Sequence, residues 1–487
     1  MEDKNYYEAK SIHIFSWPFT YVKDNHDKVR KDLLSSGRWV RETEWKNSKE
    51  RFMLHQYLSK KARKIFFDEN SSKCEIYQYK MDDQGEYNYF IEAKIDEQIK
   101  KTFELPIDKI ELHLYDFGVG ILSIRVLNFK YRSIEDIKSI NNLGRRTFLP
   151  FIPDEPDEGI ILCAEQLGIK NRVNKTENIQ NFREKIKTEK YEELIQPVTF
   201  LKSLLSGDLN EKENEQWKDL EPTADDRMFL TCLIRDKWLS EQIKQKKYSK
   251  SNIQKLLYSI IYVDSGDCEC QNDKMREELF ERAGYFRWSD CGTLYACTNY
   301  SLTCITDEES KESKESKESK ESNVIKNTVV KPFVEEYFYM LSLTLAQKQG
   351  LILFSERAGE IVEEETNDSG KITPEKAEKI MKMQEDYVSF QNHFMILEIS
   401  SQEQGIELYH LFQQQLLINE EQAILNQEMS GLYEVANVSA SLRLTTIANK
   451  WAIIGVVIAV IALFVDLPKI NLFEKVKCLI NFIENIF

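Results

Sequence analysis

The chain has 487 residues, 42% of them hydrophobic, and a formal net charge of −15. This length suggests about three domains with enough apolar residues for a sizeable core. The acidic balance argues against nucleic acid as the main partner, because phosphate binding needs basic surface. Nine scattered cysteines fit free thiols in a reducing compartment, and the charged segment Met1–Asn5 shows no secretory signal. We therefore expect a cytoplasmic body.

Residues 1–305 predict a mixed α/β body in which strands and helices alternate. Strand-like stretches are Ser11–Trp17, Cys74–Tyr79, Tyr87–Ala93 and Ile110–Tyr115. Asp116–Gly120 then leads into Ile121–Leu127, which predicts either two strands around a glycine turn or one long bulged strand. Ser133 is placed to cap a helix that ends at Gly144.

The later part of this body repeats the same layout. Arg227–Ile234 and Leu256–Val263 have the pattern of strands, Asp273–Arg282 that of a short helix, and Gly292–Ile305 that of another strand region. Residues 165–225, rich in Asn, Lys and Glu, predict a helical or partly loose connector. The body can therefore consist of two halves, 1–165 and 225–305.

Motifs for catalysis, cofactor binding and metal binding are nearly absent from the sequence. Five cysteines between Cys268 and Cys304 invite a zinc interpretation, but they lack the paired C-x₂-C spacing of structural zinc sites and favour ordinary core or loop thiols. There is no G-x-S-x-G and no Walker sequence. We therefore expect no enzyme, no cofactor and no metal site.

Arg145 and Arg146 are a candidate anion site. They follow the C-terminus of the predicted helix and precede Phe148–Pro153. Paired guanidinium groups can hold an anion such as a nucleotide phosphate. They can also pair with the abundant carboxylates or complement the helix dipole, and both alternatives stay open.

The sequence changes character at residues 306–331. Four consecutive Lys-Glu-Ser repeats end at Ser322 and have no apolar face at any period. Such a tract buries nothing and predicts a solvated linker or surface loop. Helical spacing follows from Pro332 to about Ile361, and Thr373 with Pro374 opens a further helix expected to continue towards Ile399.

A third helical pattern runs from about Gln402 to Val465 without a break signal. It predicts one helix of over sixty residues, roughly 95 Å long. Leu411, Ile418, Leu425 and Leu432 recur every seven residues, which is typical of a coiled-coil seam. We expect the bundle and stalk, 332–446, to pack against copies of itself through this seam; a three-helix bundle within one subunit is the alternative.

The most apolar segment is the uninterrupted run Trp451–Val465. Its helix rises about 22 Å, and extension to 447–468 brings it to the roughly 30 Å of a bilayer core. Lys450 and Asp466 would then lie in the headgroup layers, with Trp451 in the aromatic belt. The segment therefore predicts a single transmembrane helix in the cell membrane, with a buried core helix as the alternative.

Gly455, Ala459 and Ala462 are small residues at helical spacing within this segment. Small side chains let membrane helices approach closely, so these are candidate positions for helix packing or for lining a pore. The tail, 469–487, has the apolar spacing of an amphipathic helix. It can lie in the membrane interface, pack around the membrane helices or form a distorted second crossing.

The order of these parts resembles the CorA family of divalent-cation channels, which are homopentamers. The likeness is one of layout, an α/β cytosolic body, two helices and a long stalk helix entering the membrane, and is strongest from Thr373 to Val465. That family joins two membrane helices through a Gly-Met-Asn selectivity motif, which this sequence lacks. The resemblance implies a membrane-embedded oligomer with a sensing body and transfers no ion-selective residue.

Taken together, the sequence predicts an α+β protein whose cytoplasmic body is followed by a long-helix stalk and a C-terminal transmembrane helix. Its expected partners are the lipid bilayer, copies of itself and an ion or small-molecule ligand. We expect an ion channel or membrane-permeabilising effector gated by the body. A membrane-anchored binding or signalling module without conduction is the alternative.

Overall fold

The computed structural model describes residues 6–42, 49–68, 73–81, 87–94, 100–153, 161–173, 176–209, 220–222, 226–249, 251–264, 270–307, 326–363 and 373–465. The chain divides into two compact units. One comprises Met1–Leu353 with Ser389–Ala423, and the other comprises Phe354–Val388 with Ile424–Phe487.

The described strands all lie in the first unit. They are β1 (Ser11–Thr20), β2 (Trp39–Arg41), β3 (Cys74–Tyr79), β4 (Tyr87–Lys94), β5 (Lys100–Tyr115), β6 (Val119–Asn128), β7 (Gln166–Asn171), β8 (Thr176–Asn181), β9 (Glu221–Pro222), β10 (Phe229–Arg235), β11 (Gly284–Tyr285), β12 (Leu294–Cys297) and β13 (Ser301–Thr306).

The described α-helices separate and follow these strands. They are α1 (His26–Ser35), α2 (Lys49–Tyr57), α3 (Lys60–Phe67), α4 (Ile134–Gly144), α5 (Phe182–Thr188), α6 (Tyr191–Leu194), α7 (Thr199–Ser206), α8 (Lys237–Lys244), α9 (Ser251–Ile261), α10 (Asp273–Ala283), α11 (Lys331–Val334), α12 (Glu336–Glu363), α13 (Pro374–Phe394), α14 (Glu403–Gln415) and α15 (Ile418–Val465).

One sheet organises the first unit, in the order β11-β12-β13-β10-β1-β6-β5-β4-β7-β8, with β3 also pairing β5, β2 pairing β3 and β9 pairing β1. The β10–β13 pair is parallel, and the other described pairs are antiparallel. Strands from both of the suggested halves of the body therefore lie in the same sheet.

Side chains of β1 alternate between two buried layers, as strand geometry requires. Phe15, opposite Ile124 of β6, belongs to the main core with the inner faces of α4, α7, α8 and α9. Ile14 lies on the other face, beside Phe338 and Tyr339 of α12. The sheet is therefore covered by helices on both faces, which explains why nearly all of β1 is buried.

Several local predictions are confirmed. β5 and β6 form two strands around a turn at Asp116–Gly118. The Ser133 hydroxyl accepts a hydrogen bond from the Asp136 N–H at the start of α4, at 3.1 Å, and Thr373 accepts one from the Lys376 N–H at the start of α13, at 3.2 Å. Both helices thus begin at the expected caps.

Two predictions about the body are wrong. Leu256–Val263 is not a strand, because this run belongs mainly to helix α9, whose Leu257, Ile260 and Ile261 are buried at helical spacing. The connector 165–225 contains helices α5 to α7, as expected. It also contains the β7–β8 hairpin, in which the buried Leu167 and Ile169 lie two residues apart on the same face of β7.

In the second unit, the beginning of α13 packs on α15. Ala377, Ile380 and Ala436 form a buried cluster, and the Tyr387 hydroxyl donates a 2.8 Å hydrogen bond to Asn426 Oδ1. The predicted unbroken helix from Gln402 to Val465 is wrong, because the chain forms α14 and the 48-residue α15 with a break between them. The Lys-Glu-Ser tract, residues 364–372 and the tail 469–487 lie outside the described residues.

Candidate membrane helix and buried polar networks

Among the described residues, α15 is the one helix long and apolar enough to cross a membrane. Its apolar end is exposed, with Trp451 at 68% and Ile458 at 62%. Gly455 has open space around it, since a side chain added there would meet no atom within 4 Å. Large exposed apolar surfaces of this kind are rare in soluble monomers, so the surroundings of a membrane or of other helices suit this segment.

The predicted stalk seam occupies a different environment from the one expected. Ile418 is fully buried and Leu425 is 2% exposed within the single chain. Leu432 packs partly against the Ala377–Ala436 cluster, and Leu411 is half-buried. These side chains therefore offer little surface to a second copy, and packing between copies through them stays a prediction.

A second stripe on α15, not recognised from the sequence, is exposed. Its members recur at alternating spacings of three and four residues: Val435, Val438, Leu442, Thr445, Asn449, Ala452, Val456 and Ala459. This is the spacing of an a/d coiled-coil seam. The exposed stripe and the buried one through Ile418, Leu425 and Leu432 have the same seven-residue period, and they lie about a third of a helical turn apart on the surface of α15. The sequence pattern therefore does not separate them, whereas their burial in the structure does.

In the sheet body, a buried ionic network surrounds Glu111 of β5. Lys109 forms an ion pair with its carboxylate, His113 Nε2 lies 2.7 Å from Oε1, and Arg51 Nη2 lies 3.5 Å from Oε2. Burial alone would raise the pKa of Glu111, but Lys109, His113 and Arg51 outweigh burial and hold its pKa well below the usual 4.5. The carboxylate is thus charged at neutral pH.

This network also contains an arrangement that resembles a hydrolase triad. His113 Nδ1 lies 2.7 Å from the Ser342 hydroxyl of α12, while its other nitrogen contacts Glu111. All three residues are at most 3% exposed. The neighbouring cavity, lined in part by Lys109 and Tyr339, has a volume of about 10 Å³, which suits one water molecule. The arrangement therefore anchors α12 to the sheet and leaves no space for a substrate beside it.

A second buried cluster joins β1, α4 and β10 and is equally structural. His13 Nδ1 lies 2.6 Å from Asn141 Oδ1 and 3.7 Å from the Cys232 sulfur. Burial lowers the pKa of His13 to about 4 and raises the pKa of Cys232 to about 12. At neutral pH the imidazole is uncharged and the thiol is protonated, so no reactive thiolate forms.

The two arginines of the candidate anion site take part in internal contacts. Arg145 is 2% exposed, and its guanidinium lies 4.9 Å from the centre of the Tyr300 ring. Arg146 forms an ion pair with Asp226, and Met228 N–H donates to the Arg145 carbonyl. An anion would have to compete with Asp226 for Arg146, so the geometry favours carboxylate pairing at that residue.

The cysteines of the zinc interpretation do not converge on one point. Cys297 lies in β12 and Cys304 in β13; both are buried, and burial raises the pKa of each thiol. Cys291 is exposed, and Cys268 lies outside the described residues. Among the residues that the structure describes, no group of three or more His, Cys, Asp or Glu side chains is placed to hold a metal ion.

Comparison with known proteins adds no relative to these observations. No protein-family model, curated protein or solved structure matches the chain.

Proposed function

We propose that the protein is a membrane-anchored homo-oligomer in which α15 helices from several copies associate across a bilayer and change its permeability under the control of the sheet body. The observation that carries this proposal is the exposure of most of α15 from Asn437 onwards. The most apolar 18-residue stretch of this helix has no buried residue, whereas a core helix of a soluble protein would be covered by its own chain.

The exposed stripe supplies the contact between copies. Val435, Val438 and Leu442 lie before the apolar run, and Ala452 and Ala459 lie within it. One continuous stripe thus runs from the aqueous segment into the predicted membrane segment. Asn449 occupies an a-type position, where a polar residue fixes register and subunit number in coiled coils.

The small residues singled out in the sequence support close packing on the same side. Gly455 and Ala462 each lie three or four residues from Ala459 of the stripe, so they flank it on the helix surface. Helices that meet at small residues can form a tight bundle in lipid. The resemblance in layout to CorA-type channels supports assigning a permeability function to such a bundle.

An anchored binding or signalling module without conduction is the second candidate. The segment between Trp451 and Val465 contains no polar side chain. A pore lined only by such residues would be narrow and would tend to exclude water. In this case α15 would tie the sheet body to the membrane and hold copies together without forming a path for ions.

Flux from liposomes distinguishes the two candidates. The purified full chain would be reconstituted in phosphatidylcholine–phosphatidylglycerol vesicles loaded with potassium chloride and carboxyfluorescein. We expect the wild type to release at least one of these solutes. The double variant Gly455→Leu with Ala459→Leu should remain inserted but lose release, because the added side chains keep the helices apart.

Ile454→Leu is the matched control, since Ile454 is exposed and lies away from the stripe. It should release solute like the wild type. Equal retention of potassium, chloride and dye by wild-type and protein-free vesicles would contradict the permeability proposal and favour the anchored module.

A further inference from the structure

The corner between α14 and α15 is strained. Two residues, Leu416 and Leu417, separate the helices, and Leu417 has a φ of +56°. L-residues with a Cβ avoid this left-handed region, which helices normally enter at a glycine or asparagine. The segment Gln413–Glu421 contains no glycine and no proline and is rich in Gln, Leu and Glu. Local sequence thus favours a continuous helix.

Leu417 is also the wrong residue type to begin a helix. It precedes Ile418, the first residue of α15, where Ser, Thr, Asp or Asn would accept a hydrogen bond from the first turn. A leucine side chain has no acceptor. The break therefore has neither a glycine or asparagine at the end of α14 nor a capping side chain at the start of α15, where only the acidic first-turn residues Glu420 and Glu421 favour an N-terminus. Contacts elsewhere must therefore help to impose it.

Those contacts lie within the first unit, on α14 and on both sides of the corner. Leu416 is 3% exposed and Ile418 is fully buried. Gln415 Nε2 donates to the Arg282 carbonyl at 2.9 Å, and Lys348 forms an ion pair with Glu421. Burial of the two apolar side chains favours the bent form.

A second set of contacts, the α14 latch, holds the exposed side of α14 to the segment after α10. It consists of Arg287, Trp288, Glu403, Gln404 and Glu407. Arg287 lies 2.6 Å from Glu403 and 2.8 Å from Glu407, and Trp288 Nε1 donates to Gln404 Oε1 at 2.9 Å. Because the charged members are exposed, salt should weaken the latch.

We propose that the α14–α15 corner is a two-state hinge. If Leu417 moves from the left-handed to the right-handed helical region, α14 and α15 join into one helix over 403–465. The Ile418 N–H would then donate to the Gln414 carbonyl, as helix geometry requires. The structure shows the bent form. The α14 latch and the burial of Leu416 and Ile418 maintain it.

This hinge goes beyond the proposed function because it supplies a route by which the sheet body could redirect α15. A ligand or partner that contacts the latch would bias the corner through its different affinity for the two states. The route does not depend on conduction, since an anchored signalling module could use the same change. Its test therefore needs a readout other than flux.

Pulsed electron–electron resonance on the full chain in detergent provides that readout. Spin labels at Gln402→Cys and Ala423→Cys would span the corner, in a background whose accessible native cysteines are replaced by serine. A joined helix separates these positions by about 31 Å along its axis, and any bend shortens this distance. We expect Arg287→Gln, or high salt, to raise the joined fraction by about fivefold, since two exposed ion pairs are weakened.

Leu417→Gly in the Arg287→Gln background should return the distribution to the short distance, because glycine accepts the left-handed conformation without strain. Lys274→Gln removes an exposed charge on α10, thirteen residues before Arg287 and outside the latch, and should leave the wild-type distribution unchanged. The hinge would be refuted by a single short distance in Arg287→Gln at every salt concentration, with circular dichroism showing a folded protein. A joined helix in the Leu417→Gly variant would refute it as well.

Discussion

At the residue scale, Glu111 is the residue on which the buried ionic network of the sheet body depends. Replacement by Gln keeps the shape but removes the carboxylate that faces Lys109, and it leaves Arg51 paired with Glu42 only. Removing one partner of a buried ion pair costs about 3–5 kcal/mol. We therefore expect Glu111→Gln to lower the denaturant midpoint strongly. Glu135→Gln, which removes a 75%-exposed carboxylate on α4, should change the midpoint little.

The same carboxylate predicts a pH dependence with a definite sign. The pKa of Glu111 is lower in the folded chain than in the unfolded chain. Its contribution to stability is therefore complete above the unfolded pKa near 4.5 and is lost as pH falls towards the folded pKa. Acid titration of wild type and Glu111→Gln should show converging midpoints below pH 4.5. Parallel midpoints across that range would contradict this account of the network.

Lys246 offers a local test of backbone strain. It follows the C-terminus of α8 with a φ of +55°, and its side chain is 62% exposed. Lys246→Gly should raise the free energy of unfolding by about 0.5–1 kcal/mol, because glycine adopts this conformation without strain. Lys244→Gly, inside the last turn of α8, should lower it by about 1 kcal/mol. Thermal unfolding of the two variants should shift in opposite directions.

Which residue contacts could be predicted from the sequence depends on their separation. The caps at Ser133 and Thr373 were predictable because a capping side chain bonds a backbone N–H three residues on. The Arg146–Asp226 pair joins residues 80 positions apart, and His113 meets Ser342 across 229. No local pattern specifies such partners, so the arginines could only be assigned as a candidate anion site with pairing as the alternative.

At the scale of elements, α15 has one stripe that is buried within the chain and one that is exposed, and point charges can distinguish them. Leu425 is 2% exposed, so Leu425→Asp buries an uncompensated charge and removes apolar contact. We expect a loss of stability of about 3 kcal/mol or more, seen as a lower melting temperature of the helical unit. Gln427→Asp, at an exposed position of the same helix, should have the melting temperature of the wild type. Equal melting temperatures of the two variants would contradict the burial of Leu425.

The type of an element, helix or strand, was predictable where its hydrophobic pattern repeats over a long segment. It was not predictable where tertiary contacts decide which of the two forms. The run Leu256–Val263 has eight residues, mostly apolar, and such short runs fit a strand or a buried helix equally well. The helix break at Leu417 has no capping signal in the sequence, because it depends on the burial of Ile418 and on long-range contacts such as that of Gln415 with the Arg282 carbonyl. Both errors arise where packing overrides local preference.

At the scale of the whole molecule, the order of sheet body, helices and terminal apolar helix was predictable from composition and periodicity. The mixed α and β body and the apolar helix near the C-terminus, long enough to cross a membrane, agree with the structure. The continuity of the sheet was not predictable, because β10 lies between β1 and β13 and brings together strands almost three hundred residues apart. Oligomerisation through α15 remains a prediction.

The most direct test of that claim is the mass of the detergent-extracted full chain, measured by size-exclusion chromatography with light scattering. We predict that the wild type has a protein mass that is a multiple of the single chain. Val438→Asp, which places a charge on the exposed stripe, should give single chains, whereas the neighbouring exposed change Asn437→Asp should not. A wild-type protein that is monomeric in mild detergent would contradict the account.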